Sequence, residues 1–497
     1  MSLINVAGLT FGYDGSFENV FENASFQIDT DWKLGFVGRN GRGKTTLLRL
    51  LMGREEYRGS IAASVAFDYF PFPVEDMSQR TLTVLEGIAP AAEHWEITCE
   101  TALLGLDYEA LERPFSTLSH GERTKALLAA LFLKPGRFLL IDEPTNHLDM
   151  EGRALVSRYL ASKKGFILVS HDRVFLDGCV DHILSINRAD IQVMAGSFSA
   201  WWENKQRQDQ YELTENERLR KDVKRLQAAA RRAAEWSDKS EASKIGSHAA
   251  DRGFVGAQAA RMMKASKNIE SRRNVAVEDK SKLLKNLETS APLAIHPLRY
   301  HQNVLLELAE VTLAYAEKPV CGPLSLTLTR GERVAIRGRN GSGKSSILKL
   351  LLAQTGAVPD AAEGLRYGGV LRLGSQLAVS HVSQDTSDLR GGLRDFCVSQ
   401  GIDESLFKAI LRKMDFSRTQ LEKPMEDYSG GQKKKVLLAK SLSQQAHLYL
   451  WDEPLNFVDL LSRLQIEELL LAHRPTMLFV EHDRAFCDEI ATKTLKI

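Results

Sequence analysis

The amino-acid sequence predicts an α/β fold in two similar halves joined by an antiparallel helical hairpin. Two observations indicate the halves: a glycine-rich segment recurs 300 residues apart, and each copy lies between an apolar, strand-like run and an amphipathic helix. A third observation indicates the hairpin, because a basic, proline-poor segment with heptad spacing separates the copies. A length of 497 residues also exceeds what one hydrophobic core usually serves.

The composition is that of a globular protein, with 43% hydrophobic and 26% charged residues. Its apolar runs, such as Phe166 to Val169, are much shorter than a bilayer-spanning helix, so we expect no membrane domain. The N-terminal segment MSLINVAGLTFGYDG lacks the features of a secretion signal, which predicts a cytoplasmic location. Five cysteines occur singly and without metal-ligand spacing, so we expect reduced thiols rather than disulfides or a zinc site.

The repeated glycine-rich segment is GRNGRGKTTLLRLL from Gly38 and GRNGSGKSSILKLL from Gly338. Both fit GxxxxGK followed by Ser or Thr, in which backbone N–H groups approach phosphates, the lysine reaches the β- and γ-phosphates and the hydroxyl meets Mg²⁺. One such match can be an ordinary glycine-rich turn, but two matches between a strand and a helix favour nucleotide binding. The predicted ATP contacts are Gly38, Asn40, Gly41, Gly43, Lys44, Thr45, Thr46, Gly338, Asn340, Gly341, Gly343, Lys344, Ser345 and Ser346. The predicted Mg²⁺ hydroxyls are those of Thr45 and Ser345.

A second shared feature is a polar turn that opens a helix, in PFSTLSHGERTK from Pro114 and in EDYSGGQKKK from Glu426. Ser119 and Ser429 in these turns can be ordinary helix N-caps. Each serine, however, precedes an aspartate at a strand end by the same 23 residues. The matched spacing favours a shared functional element over two unrelated caps.

Each half then places two acids at the end of an apolar strand, in RFLLIDEPTNHLD and LYLWDEPLNFVD. Asp142 and Asp452 stand where a carboxylate can hold Mg²⁺. Glu143 and Glu453 follow directly, where a second carboxylate can orient or deprotonate water. Adjacent acids are costly to bury, which favours a functional reason for both pairs.

A histidine follows each pair of acids after one further strand. His171 in VSHDR and His482 in VEHDR lie 29 and 30 residues beyond Asp142 and Asp452. An isolated histidine is more often a core or surface residue, but a pair at matched offsets favours a sensor of the γ-phosphate. The predicted catalytic residues are therefore Glu143, Glu453, His171 and His482.

These motifs resemble the nucleotide-binding domain of the ABC superfamily, and the resemblance covers both halves. It implies a monomer whose two domains close face to face on two ATP molecules, each held by the phosphate loop of one domain and the Ser-Gly-Gly turn of the other. Site 1 would combine Lys44, Asp142, Glu143 and His171 with Ser429, Gly430 and Gly431. Site 2 would combine Lys344, Asp452, Glu453 and His482 with Ser119 and Gly121. Bound ATP would then act as a clamp.

Two tyrosines match the aromatic residue on which that family stacks adenine. Tyr13 and Tyr315 lie 31 and 29 residues before the phosphate lysines Lys44 and Lys344. A buried aromatic of a core strand is the alternative, and the matched positions favour stacking.

Two positions depart from the family pattern. The family's Mg²⁺-coordinating glutamine matches Gln384 in HVSQD, whereas DYFPFP in the first half carries Phe72, which cannot coordinate a metal. His120 replaces a glycine of the first Ser-Gly-Gly turn, where the backbone would approach ATP at site 2. We expect slow, asymmetric hydrolysis, because phosphoryl transfer relies on positioning and both changes loosen it. The sequence does not rank the two sites.

The segment from Trp201 to Thr289 predicts a coiled-coil hairpin, because it has hardly a proline and its apolar residues step by four and three. The loop of the hairpin is expected at about Ser237 to Gly253. The first seam contains Leu219, Val223, Leu226, Ala230 and Ala233. The second seam contains Met262, Ser266, Ile269, Arg273, Ala276, Lys280, Leu283 and Leu287.

The charge of the hairpin is one-sided: fifteen Lys or Arg stand against six Asp or Glu between Arg218 and Arg273. A solvated coiled coil that merely joins two domains is one interpretation. The excess of basic residues and a small, polar tip favour contact with the phosphates of RNA. The candidate contact residues at the tip, any of which can instead simply close the turn, are Lys244, Ile245, His248, Arg252 and Phe254.

The arrangement resembles the ABC-F family, which has twin ABC domains in one chain, a helical linker and a PTNHLD motif, here Pro144 to Asp149. That resemblance implies the bacterial ribosome as partner: the ATP-bound form enters the tRNA exit site beside the P-site tRNA and extends the hairpin along large-subunit rRNA toward the peptidyl-transferase centre. The segments RPFSTLS, FILVSHDR, AEWS and GAQAARMMK resemble the Lsa-type antibiotic-resistance branch, which protects ribosomes from lincosamides, pleuromutilins and group A streptogramins.

The predicted organisation is α/β, with two ABC-type P-loop nucleotide-binding domains joined by an antiparallel α-helical coiled-coil hairpin. The domains span residues 1–197 and 298–497, and the hairpin linker spans residues 198–297, with its tip at about 237–253. Two other functions stay open. One is a housekeeping ABC-F translation factor without drug protection, and the other is the fused ATPase subunit of an ABC importer, against which the basic hairpin argues.

Overall fold

The computed structural model describes residues 2–13, 19–146, 148–186, 191–212, 293–316 and 318–497, with isolated positions between 214 and 264. One compact unit comprises Met1–Ile186, Ile191–Phe198 and Ser290–Ile497, and a second comprises Asn187–Asp190 and Ser199–Thr289. In the second unit, residues 199–212 are helical. The predicted heptad seams and the tip residues Lys244, Ile245, His248, Arg252 and Phe254 lie outside the described residues, so the hairpin stays a prediction.

The first half of the larger unit alternates strands and helices, as the spacing of its apolar runs predicts. Its strands are β1 (Leu3–Phe11), β2 (Phe21–Asp29), β3 (Lys33–Val37), β4 (Arg58–Ala62), β5 (Ala66–Phe70), β6 (Arg137–Asp142), β7 (Phe166–Val169), β8 (His182–Ile186) and β9 (Ile191–Ala195). Its helices are α1 (Lys44–Leu51), α2 (Thr81–Ile88), α3 (His94–Leu103), α4 (Tyr108–Glu112), α5 (His120–Phe132), α6 (Met150–Ala161) and α7 (Arg173–Cys179).

The strands of the first half form a mainly parallel sheet in the order β5-β6-β7-β3-β8-β9, in which only the pairing of β8 with β9 is antiparallel among the described strands. A separate antiparallel sheet has the order β2-β1-β4. The central strand β7 is buried along its whole length, which explains its continuous apolar sequence FILV. The carboxyl ends of β3, β6 and β7 meet at one edge, the usual place for a ligand in an α/β sheet.

The second half repeats this plan. Its strands are β10 (Val304–Tyr315), β11 (Lys318–Thr329), β12 (Arg333–Arg337), β13 (Leu365–Leu373), β14 (Val379–Val382), β15 (Leu448–Asp452), β16 (Met477–Val480) and β17 (Lys493–Lys496). Its helices are α8 (Lys344–Gln354), α9 (Leu393–Gln400), α10 (Glu404–Lys413), α11 (Arg418–Glu422), α12 (Gly430–Ser443), α13 (Leu460–His473) and α14 (Arg484–Ile490).

The parallel sheet of the second half has the order β14-β15-β16-β12-β17, and its antiparallel sheet has the order β11-β10-β13. Register is the same in both halves, since Asp142 pairs with Val169 and Asp452 pairs with Val480. The prediction of an α/β protein with two P-loop domains is confirmed.

A buried ion pair joins two helices of the second half. Lys435 on α12 lies 2.5 Å from Asp459, and both side chains are almost completely buried. Asp459 also begins α13, because its carboxylate accepts the backbone N–H and the hydroxyl of Ser462, each at 3.0 Å. Burial alone would raise the pKa of Asp459, but the Lys435 ammonium holds it well below its usual range.

We predict that Lys435→Met destabilises α13, because it leaves a buried carboxylate without its cation, at a cost of about 3–5 kcal/mol. Hydrogen exchange over Leu460–His473 should become faster, and Lys435→Met combined with Asp459→Asn should recover part of the protection. The depressed pKa of Asp459 means that its contribution is present above the pKa of an unfolded aspartate and is lost as pH falls through the folded value. Unchanged exchange in Lys435→Met would contradict the prediction.

Candidate nucleotide-binding sites

Each phosphate loop leads from a central strand into a helix through a glycine that has positive φ. Gly43 and Gly343 precede α1 and α8 with φ values of 90° and 93°. A Cβ on Gly43 would lie 2.5 Å from a methyl of Val20, so space also requires glycine there. The two lysines fold back over their own loops: Lys44 Nζ donates to the carbonyls of residues 38 and 39 at 2.6 and 3.2 Å, and Lys344 Nζ donates to those of residues 338 and 339 at 3.0 and 2.7 Å.

Site 2 is a cavity of about 730 Å³ between the two halves, within the usual size range for a small-molecule site. The first half contributes the polar turn and the start of α6, and the second half contributes the phosphate loop and Glu453. The predicted residues that line it are Ser119, Gly121, Tyr315, Asn340, Gly341, Gly343, Lys344, Ser345, Ser346, Gln384, Glu453 and His482. His120 lines the same cavity.

The carboxylate of Glu453 is held by side chains on three sides. Its Oε2 accepts from Gln384 Nε2 at 2.8 Å and from Asn456 Nδ2 at 2.6 Å. His482 Nε2 lies 3.4 Å from the other oxygen, Oε1. Sequence reasoning gave Gln384 a Mg²⁺ role and missed Asn456, although the latter stands three residues after Glu453 in the same loop.

The charges of site 2 suit a cation and a phosphate. Burial raises the pKa of Asp452 to about 6, and one carboxylate oxygen, Oδ1, is buried without a hydrogen-bond partner in the described part of the chain. The Ser345 side chain, beside the same carboxylate, opposes that rise in pKa. Burial alone would raise the pKa of Glu453, but the neighbouring His482 ring and nearby lysines bring it below its ordinary value. A free carboxylate oxygen beside a hydroxyl is a suitable ligand set for Mg²⁺.

Site 1 orients its aspartate differently. Asp142 Oδ2 accepts from Thr45 Oγ1 at 3.1 Å and from Tyr69 Oη at 3.0 Å. Burial and Asp142 both raise the pKa of Tyr69, so its hydroxyl stays protonated and donates. Tyr69 pairs with the residue two before Asp142, and His381 pairs with the residue two before Asp452. Tyr69 therefore occupies the place of His381, and the sequence offered no local motif that would single it out.

The same register aligns Phe72 with Gln384, as the sequence predicts. The ring of Phe72 lies 5.6 Å from Lys134 Nζ, and that ammonium also pairs with Asp68 at 3.0 Å. A phenyl ring carries no atom that can hydrogen-bond a carboxylate or bind a metal. Phe72 therefore cannot give Glu143 the support that Gln384 gives Glu453.

The predicted catalytic pair of site 1 combines a buried histidine with a partly buried glutamate. His171 Nε2 lies 3.1 Å from Glu143 Oε1. Burial and the neighbouring Asp142 raise the pKa of Glu143 to about 8, and burial also raises the pKa of Asp142. Burial and the Lys44 ammonium lower the pKa of His171 well below its ordinary value, so the ring is neutral near pH 7.

The first phosphate loop contacts the second half directly. Asn40 Nδ2 donates to the carbonyl of Phe457 at 2.8 Å. A Cβ on Gly431 would lie 2.4 Å from that carbonyl and 2.9 Å from Asn40 Nδ2, so this glycine allows the close approach. Asp415 lies 3.8 Å from Arg39 and 3.6 Å from Arg42 of the loop.

The substitution of His120 for glycine has a local explanation. A Cβ on Gly430, the residue at the same place in the second turn, would meet only the ring of Phe457 at an ordinary 3.7 Å. The next glycine is the one without room for a side chain, and the first half keeps it as Gly121. Ser119 and Ser429 are also true N-caps, each in a capping box with Glu122 or Gln432, so the structural and functional interpretations hold together.

The two candidate stacking tyrosines lie beside the phosphate-loop helices and not in the core. Tyr13 is 45% exposed, and its hydroxyl bonds Thr46 Oγ1 at 2.7 Å. Tyr315 is 38% exposed and lines the site 2 cavity. Exposed faces of this kind leave room for a stacked base.

The sequence profile of the ABC transporter family matches residues 21–146 and 321–456, which is more than half of the chain. The ribosome protection protein VmlR of Bacillus subtilis is 27% identical over 98% of this chain and 85% of its own. The energy-dependent translational throttle protein EttA of Haemophilus influenzae is 26% identical over 96% of this chain and 89% of its own. The chain is an ATPase of the ABC-F family.

Solved structures support the fold of this ABC-F protein. The archaeal ribosome recycling factor aABCE1, in its complex with the stalk protein aP1, matches with a TM-score of 0.63 at 16% identity and covers 98% of this chain and 87% of that one. Within the described residues, every helix is too short or too polar to cross a bilayer.

We predict that Tyr69→Phe raises the Mg²⁺ concentration needed for half-maximal hydrolysis at site 1 by about tenfold, because it removes one of two hydrogen bonds that orient Asp142. Site 1 is isolated by measuring in a Glu453→Gln background. The control is the same substitution with Glu143→Gln, where only site 2 is intact and the Mg²⁺ dependence should not change. Equal Mg²⁺ dependence with and without Tyr69 in the site 1 background would refute the role.

Proposed function

We propose that this ABC-F ATPase closes on ATP at two composite sites and acts on the bacterial ribosome, protecting it from antibiotics of the peptidyl-transferase centre: lincosamides, pleuromutilins and streptogramin A. The observation that carries the proposal is the site 2 cavity, whose walls come from both halves, so that bound ATP governs their closure. Two relatives named for ribosome protection and for translational control support the ribosome as partner. The basic linker supports contact with large-subunit rRNA near the tRNA exit site. This partner implies a cytoplasmic location.

Residues of both halves would hold the nucleotide and its metal. Lys44 and Lys344 would release their loop carbonyls and turn to the phosphates, while Tyr13 and Tyr315 would face adenine. Mg²⁺, when bound, supplies charge neutralisation at the β- and γ-phosphates. The groups that would hold it are the hydroxyls of Thr45 and Ser345, the carboxylates of Asp142 and Asp452, and the Gln384 amide.

At site 2, Glu453 and His482 would be the catalytic residues for hydrolysis. Glu453 has its carboxylate fixed by the amides of Gln384 and Asn456, which leaves Oε1 facing His482. A carboxylate fixed in this way can accept a proton from an attacking water and keep the water in line. His482 would contact the γ-phosphate, as His171 would at site 1.

We expect site 2 to turn over faster than site 1, because Phe72 cannot support Glu143 as Gln384 supports Glu453. Glu453→Gln should therefore remove most of the hydrolysis, whereas Glu143→Gln should leave most of it. Initial rates of phosphate release by the two purified variants measure this directly. Equal and fast hydrolysis by both variants would contradict the asymmetry.

The ribosome proposal predicts that Glu143→Gln/Glu453→Gln sediments with bacterial ribosomes in ATP at low salt and is released as salt rises, because counterions compete with basic residues for phosphate. The matched control is Lys44→Ala/Lys344→Ala, which should stay in the supernatant because it cannot close on ATP. Absence of pelleting by the first variant would reject a ribosomal partner.

Drug protection is tested separately, with wild-type protein and ATP in cell-free bacterial translation stalled by a lincosamide or a pleuromutilin. Recovery of synthesis would support protection. Ribosome binding without recovery would favour a housekeeping translation factor, the alternative supported by the relative named for translational throttling.

A further inference from the structure

A buried lysine lies beneath the loop that supports Glu453. Lys434 on α12 is 3% exposed, and its Nζ donates to the carbonyl of Ser383 at 2.9 Å. Burial lowers the pKa of Lys434, while the charges of Asp452 and Glu453 oppose that change. An ammonium is costly to bury, so its place beside these acids calls for a reason beyond packing.

The lysine connects to Glu453 through two consecutive residues. Ser383, whose carbonyl Lys434 holds, directly precedes Gln384, and Gln384 Nε2 donates to Glu453 Oε2 at 2.8 Å. The following turn is closed by Asp385, which accepts the backbone N–H of Ser387 at 2.8 Å. Two contacts thus fix the backbone that carries the Gln384 amide: the Lys434 ammonium binds the carbonyl before it, and the Asp385 carboxylate closes the turn after it.

The helix that carries Lys434 also reaches site 1. It begins after the N-cap Ser429, and the space around Gly431 in its first turn is bounded by Asn40 of the first phosphate loop. Lys434 stands five residues after Ser429. A shift of this helix at site 1 would therefore move the cation that fixes the loop of site 2.

The first half has no such cation at the same place. Thr124 stands five residues after Ser119, as Lys434 does after Ser429. The loop there carries Phe72, whose ring contacts Lys134. The contacts found beneath Gln384 therefore belong to one half only.

We propose that Lys434 is a positioning residue for ATP hydrolysis at site 2: it fixes the backbone at Ser383 so that the Gln384 amide aligns the Glu453 carboxylate. The inference rests on the proposed function only in that site 2 hydrolyses ATP. Because Lys434 acts through Gln384 and Glu453, its loss should slow the chemical step and leave ATP binding unchanged.

The test uses purified full-length protein in a Glu143→Gln background, without ribosomes. Lys434→Met should lower kcat about 10- to 100-fold, the usual range for residues that orient the side chains of a site without touching the substrate. KM for ATP should stay within about twofold, since an interaction realised only in the transition state affects kcat. Lys434→Arg, which keeps a cationic donor, should recover most of the lost kcat.

The matched control is Thr124→Val in the same background, which should leave kcat unchanged. If Lys434→Met does not fold, Lys434→Thr, which installs the residue of the first half, replaces it. An unchanged kcat, a rise in KM without loss of kcat, or failure of Lys434→Arg to restore activity in a folded protein would each overturn the proposal.

The double variant Glu143→Gln/Glu453→Gln distinguishes a failure of the Lys434 proposal from a failure of the proposed ATP sites. If Glu143→Gln/Glu453→Gln hydrolyses ATP as fast as wild type, the proposed sites themselves are wrong. If Glu453→Gln abolishes most hydrolysis while Lys434→Met retains it, the sites stand and only the role of Lys434 fails.

Discussion

A backbone hydrogen bond at the end of each parallel sheet fixes the residue around which both candidate sites are built. The amide of Glu143 donates to the carbonyl of Val169 at 2.9 Å, and that of Glu453 donates to Val480 at 3.0 Å. Both glutamates have positive φ values, 50° and 45°, a conformation that residues other than glycine rarely adopt and that their surroundings must hold. The bond to the neighbouring strand turns the chain out of the sheet at this point. It thereby sets each carboxylate beside the phosphate loop that follows the central strand.

On this shared backbone, the two halves differ in the side chains that support the acids. Site 2 has amides on its glutamate and a buried ammonium under the loop that carries one of them. Site 1 has a phenol on its aspartate and a phenyl ring at the place of the supporting amide. The two halves thus share the same strand register at the acids but differ in side chains, as expected of a duplicated domain whose copies have diverged. Under the proposed function, the same geometry serves two sites with unequal support for hydrolysis.

The sequence predicts site residues that lie within one short motif. It does not predict contacts that depend on how separate segments pack. Both phosphate loops and both strand-end acids follow from local patterns, because a strand, a turn and a helix in succession fix their geometry. The roles of Tyr69 and Lys434 do not follow from local patterns, since each depends on which residue of another segment lies opposite. The role of Tyr69 can be recognised only from its pairing with Leu140 of β6. The N-cap and ligand-contact interpretations of Ser119 are compatible, because a serine that caps a helix can also face the cavity.

Several contacts that join the halves are polar, which bears on how closure is controlled. Arg173 donates to both oxygens of Glu467 at 2.8 and 2.9 Å, and burial raises the pKa of Glu467 to about 7. Such pairs fix the register of two surfaces more than they strengthen the association, because desolvation offsets much of the attraction. Under the proposed function, the larger favourable term for closure must come from the nucleotide bound between one phosphate loop and the opposite polar turn. Closure would then last as long as ATP is intact, and the rate at site 2 would set its duration.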